Sequence, residues 1–203
     1  MVTSYFTDLQ NELIDLESEL LKFGINEQFN NANQIRIKSY KLFVHATLEN
    51  YFESIAFDLL DNAVAEWTST KRVNHVLMNL ITYSPIPYSG NKNMDIENRI
   101  GSITSEFKGK IRTNNGIREE NICRLLIPLG FKHMDFDTTW LATLDSYGSS
   151  RGLIAHKPIS VQRALEVRDE QQKVKIIVTG LNDIEVKYAD IMANVNHPFL
   201  ITR

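Results

Sequence analysis

A chain of 203 residues, 43% hydrophobic and 23% charged, is long enough to bury a core without staples, and residues 1–203 read as a single domain. Its net charge of −3 argues against a tight non-specific nucleic-acid binder, which carries a basic excess or stripe, but is compatible with brief contact with RNA. The one cysteine, Cys123, excludes an internal disulfide and a thiolate metal cluster.

No apolar run approaches the roughly 18 residues needed to span a bilayer. Met1–Leu9 carries acid and polar residues where a signal peptide needs a basic start and an apolar stretch. A cytoplasmic protein without membrane contact is therefore expected.

Helical spacing dominates from the start. Phe6, Leu9, Leu13, Leu16 and Leu20 form one apolar stripe, with Ser4 or Thr7 as the cap and Gly24 as the stop. Asn26–Asn33 is polar and reads as a loop. A long second helix is predicted from about Gln34 to Trp67, free of Gly and Pro. Its wide apolar face carries Tyr40, Phe43, Thr47, Leu48, Tyr51, Ile55 and Leu59.

A short helix follows over Lys71–Ile81, broken by the run from Ser84 through Pro85 and Pro87 to Gly90. Ile96, Ile100, Ile103 and Phe107 again keep helical spacing. Asn114-Asn115-Gly116 is a turn, and Ile117–Leu129 a compact helix stopped near Pro128 and Gly130. Asp135 or Asp137 caps a helix running through Trp140, Leu144 and Tyr147 to His156, where Pro158 ends it. Val174, Ile177, Val178, Leu181, Ile184, Tyr188 and Ile191 mark a long last helix, weakened in its middle by Gly180. No segment alternates convincingly as a strand. The expected class is all-α, helices packed around one core.

Arg151-Gly152-Leu153-Ile154-Ala155-His156 has the form R-x-x-x-x-H. The pair alone is weak, since about 0.25 such pairs arise by accident from the arginines and histidines of this chain. A surface Arg with a helix-terminal His that the dipole favours is the bland alternative. The surroundings sharpen it. Leu144-Asp145-Ser146-Tyr147-Gly148 precedes the pair and Lys157-Pro158 follows. Upstream stand Gly116-Ile117-Arg118-Glu119-Glu120-Asn121-Ile122-Cys123-Arg124 and Val44-His45-Ala46-Thr47-Leu48-Glu49-Asn50-Tyr51-Phe52-Glu53.

In content and order these segments resemble the RiboL-PSP-type branch of the HEPN superfamily, over about Ser39–Asp190. The resemblance implies a HEPN-like bundle of long antiparallel helices that often dimerises, with a composite RNase site at the interface. It also implies a role in toxin–antitoxin or phage-defence systems, and a partner such as an antitoxin. Arg151 and His156 stand at the matching catalytic positions. Many members carry a polar residue after the Arg; Gly152 here removes that helper.

The residue chemistry suits metal-independent endoribonuclease action. An imidazole titrating near neutrality takes the proton of a ribose 2′-OH or gives one to the leaving 5′ oxygen. A guanidinium holds the scissile phosphate and stabilises its growing charge. The internal 2′-OH nucleophile accounts for RNA selectivity, and the products are a 2′,3′-cyclic phosphate and a 5′-OH. Residues five apart on a helix differ by about 140° and roughly 7.5 Å, so one helix does not aim both groups at one point. A homodimer with a two-fold axis brings two such pairs around one cleft. The other reading is a HEPN module that binds nucleotide, RNA or protein without turnover.

Supporting candidates are Glu49 and Glu53, one turn apart, which either orient Arg151 or His156 or form a solvated acidic face. Ser150 and Lys157 flank the motif and are placed to touch phosphate. His45 reads as a packing histidine, Arg124 as a surface ion-pair partner, and Cys123 as a buried, inert thiol. His75, His133 and His197 share no ligand spacing, and there is no H-E-x-x-H, G-x-S-x-G or Gly-rich phosphate loop. No metal or cofactor is expected.

Overall fold

The structure, a computed structural model, describes residues 2–84, 95–157 and 161–195; the side chain of His156 is also outside the description. Within it lie seven α-helices and no strand: α1 (Ser4–Leu20), α2 (Asn31–Thr70), α3 (His75–Tyr83), α4 (Ile96–Arg112), α5 (Glu119–Leu126), α6 (Thr138–His156) and α7 (Val167–Val195). The all-α class holds. The expected breaks at Pro85–Gly90 and Pro158 fall outside the described residues, as does His197.

Five helices, α1, α2, α3, α4 and α6, start at a side-chain cap. Thr3, rather than Ser4 or Thr7, caps α1 by accepting from the Phe6 amide at 3.1 Å. Asn30 caps α2, so that helix begins three residues before the predicted start and takes the last three residues of the expected loop. Asn74 caps α3 from full burial, and its amide donates to the Ala63 carbonyl at 2.8 Å. That anchor moves the start of α3 to His75, four residues later than its sequence pattern suggests. Asp95 caps α4, and Asp137, not Asp135, caps α6. Asp135 instead accepts from the Lys132 amide in a short 3₁₀ turn.

At 40 residues, α2 is roughly 60 Å long, and it packs against each of the other six helices. Its long buried face includes Ile37, Val44, Leu48, Phe52, Ile55, Leu59 and Leu60, all sealed from solvent. Phe43 is the exception to the predicted stripe: it is exposed. The direction of the neighbours follows from their contacts. Phe6 meets Tyr51 and Glu17 lies near Tyr40, while Phe52 meets Trp140 and Lys41 reaches Tyr147, so α1 and α6 run antiparallel to α2. Lys41 pairs with Glu170 and Tyr51 with Glu185, so α7 returns parallel to it.

Two features hold α6 in register. Phe131, Phe136 and Trp140 stack at centroid distances of 5.8 and 6.4 Å, leading the chain into the helix. Trp140 then donates its indole N–H to the Ile177 carbonyl of α7 at 2.9 Å. Gly180 makes this possible. A Cβ there would lie 2.2 Å from the Trp140 ring, so the helix-weakening glycine is the room that the indole occupies.

Candidate functional site

The site is assembled from α2, α6 and the loop 113–118. His45, Glu49 and Glu53 succeed one another at one-turn intervals on α2 and therefore share a face. Gly116, at φ +134°, turns the loop so that its backbone N–H donates to the Glu49 carboxylate. Asn114 donates to Glu53 at 3.1 Å and also to the Gly116 carbonyl, closing the loop on itself. Glu49 and Glu53 are thus half-buried and hydrogen-bonded, not a solvated acidic face. Burial pushes the Glu53 carboxyl up; the negative charge of Glu49 adds to this and the Asn114 hydrogen bond opposes it.

His45 is 2% exposed, and its ring nitrogen stands 3.8 Å from Glu49, too far for a hydrogen bond. Burial lowers its pKa to about 4, and the Arg151 guanidinium on α6 pushes in the same direction. His45 is therefore neutral at pH 7, and its contact with Glu49 is not an ion pair. The packing role expected for it holds, with the addition that it lies within the field of the motif's cation.

Arg151 is half-buried in an unbroken stretch of α6 and, among the described residues, makes no hydrogen bond or ion pair. Among the described residues, a Cβ on Gly152 would meet nothing within 4 Å, so the helix surface next to Arg151 is open there. His156 closes the same helix, five residues on, and its imidazole falls outside the described residues.

The flanking candidates divide. Ser150 donates its hydroxyl to the Tyr147 carbonyl at 2.8 Å and is turned to its own helix instead of outward. Lys157 is exposed just past the helix end. Arg124 donates to Asn114 at 3.3 Å in place of the surface ion pair expected of it. Cys123 is only half-buried. Near it Glu119 and His133 bring further donor atoms, a grouping that ligand-spacing rules on histidines alone miss.

Three contributors carry no motif signal. Asn114 meets Glu53 from 61 positions away. Lys41, 1% exposed, pairs with Glu170 at 2.8 Å and lies 4.5 Å over the Tyr147 ring, one turn before Arg151. Gln162 donates to the Ile154 carbonyl at 2.9 Å and to the Lys157 carbonyl at 2.5 Å, tying down the helix end on both sides of His156.

Across residues 10–190 the chain matches the family model for the RiboL-PSP-HEPN domain. The chain belongs to the RiboL-PSP-HEPN family. Membership places this HEPN domain in a superfamily associated with RNA and, often, with nuclease activity. No curated protein and no solved structure matches it. None of the described helices is long and apolar enough to cross a membrane.

Proposed function

We propose that this HEPN domain is a metal-independent endoribonuclease acting through Arg151 and His156. The observation that carries this reading is the half-buried Arg151, without a carboxylate partner among the described residues and beside an open helix face. A partly desolvated cation left unpaired is costly as structure, and it suits a site where a phosphate supplies the missing charge. Neutral His45, which feels the Arg151 charge, does not compete with it for an anion.

The ribose 2′ oxygen attacks the adjacent phosphorus as His156 takes its proton. The bond from phosphorus to the 5′ oxygen breaks, and that oxygen receives a proton from the imidazolium of a second copy. The products are a 2′,3′-cyclic phosphate and a 5′-OH, and Arg151 stabilises the charge on the phosphorane oxygens. The separation of the two residues along α6 supports a two-fold homodimer with a composite site. A cytoplasmic toxin or phage-defence effector, restrained by an antitoxin or system partner, fits such an activity.

An oligonucleotide with one 2′-deoxy substitution at the cut position tests the chemistry. The reading requires that the all-ribose strand is cut to a cyclic phosphate and the substituted strand is not. Cutting of both strands overturns it. A strict monomer at high micromolar concentration, with RNA bound, overturns the composite site. Binding of RNA without cleavage of either strand favours the alternative, a non-catalytic HEPN nucleotide- or RNA-binding module.

A further inference from the structure

Glu119 and Cys123 lie four residues apart on α5, so they share one face, one turn apart. The chain then leaves α5 through a 3₁₀ turn, reverses at Gly130 with φ +114°, and enters a second 3₁₀ turn that begins at His133. The reversal returns the imidazole to the same face: His133 Nε2 lies 3.1 Å from a Glu119 carboxylate oxygen. A thiol, an imidazole nitrogen and a carboxylate oxygen thus lie within 4.8 Å of one another. Glu119 and Cys123 are half-buried and His133 is exposed, so none of the three is sealed from solvent ions.

We propose that Glu119, Cys123 and His133 form a binding site for a zinc-like divalent transition metal, with the fourth position open to water. The donor set decides the class of ion. Magnesium and calcium take all-oxygen shells, whereas one sulfur, one nitrogen and one oxygen suit Zn²⁺ and its spectroscopic substitute Co²⁺. Bonds of about 2.0–2.3 Å to a central ion set donor separations of roughly 3.5 Å. Rotation of three side chains that are not sealed in the core closes the remaining distance. Binding releases the Cys123 thiol proton, places the neutral imidazole's proton on Nδ1, and replaces the Glu119–His133 hydrogen bond with two metal bonds. The ion would join α5 to the turn that leads into Phe136 and α6. This site is separate from the Arg151 chemistry and does not depend on it.

Untagged, chelator-treated protein titrated with Co²⁺ at micromolar concentration provides the test. The expected result is one equivalent bound, with visible d–d bands and a near-ultraviolet thiolate charge-transfer band, both displaced by Zn²⁺. Cys123→Ser is expected to abolish the near-ultraviolet band, and His133→Ala or Glu119→Gln to weaken binding at least tenfold, with helix content by circular dichroism unchanged. Because Cys123 is the sole cysteine, its alkylation rate gives a second readout: Zn²⁺ slows it at least tenfold in the wild type and not in His133→Ala. Absence of a charge-transfer band at micromolar Co²⁺, or a band that survives Cys123→Ser, overturns the proposal. So does equal protection of the thiol in wild type and His133→Ala.

Discussion

Burial of the His45 imidazole on α2, joined by the charge of Arg151 on α6, lowers its pKa to about 4. In the unfolded chain a histidine takes its proton near pH 6.5. His45 therefore contributes stability that is present above pH 6.5 and is lost as pH falls through about 4. The loss attributable to this one group is on the order of 3 kcal/mol. Denaturant unfolding of wild type and His45→Gln at pH 7 and pH 4 isolates it. The gap between the two proteins is expected to shift by about this amount in favour of the variant at pH 4. An unchanged gap contradicts burial of a neutral His45.

Lys41 supplies a second test of the α2–α6–α7 junction. Burial lowers its pKa, and the hydrogen bond and charge of Glu170 only partly oppose this. Lys41→Met leaves Glu170, 1% exposed, with Lys173 alone, and is expected to cost about 3 kcal/mol. Adding Glu170→Leu removes the orphaned charge and should recover most of the loss. A thermodynamic cycle of the two substitutions checks this; simple additivity of the two losses would show that the pair is not coupled.

Gly180→Ala improves helix propensity by roughly 1 kcal/mol and would be stabilising on an open helix. Here the new methyl meets the Trp140 ring, which is held by its bond to Ile177 and by stacking on Phe136. Net destabilisation of about 1–3 kcal/mol is expected, with an altered Trp fluorescence, in urea unfolding. A gain in stability would mean that the indole is free to move.

Gln162→Ala removes the donor that holds the Ile154 and Lys157 carbonyls. Amide exchange should accelerate in the last turn of α6, around residues 154–157, while α2 and α7 keep their protection. Uniform protection in the variant would show that the clamp is dispensable.

Helix existence was legible because long runs such as Leu9–Leu13 and Ile177–Leu181–Ile184 repeat at the helical period and drive burial. Boundaries were less so. Asn30 and Asn74 cap with side chains whose value depends on what lies behind them, and Asn74 anchors to Ala63, eleven residues back. Phe43 shows the limit of pattern reading, since a 40-residue helix contacting six others has no simple stripe. The Arg151–His156 motif could be read from spacing and context. The engagement of Glu49 and Glu53 could not, because it depends on a loop that returns Asn114 and Gly116 to α2. Glu119, Cys123 and His133 escaped for the same reason: a reversal at Gly130 joins residues with no ligand-motif spacing.

The most direct test is incubation of the purified chain, free of any partner, with total RNA in EDTA, beside Arg151→Ala, Arg151→Lys and His156→Ala. The account predicts cleavage by wild type with cyclic-phosphate ends, loss of at least about a hundredfold in Arg151→Ala and His156→Ala, and only partial rescue by Lys, which keeps the charge but not the forked donor. Equal cleavage by all four folded proteins, or none by the wild type, would contradict it.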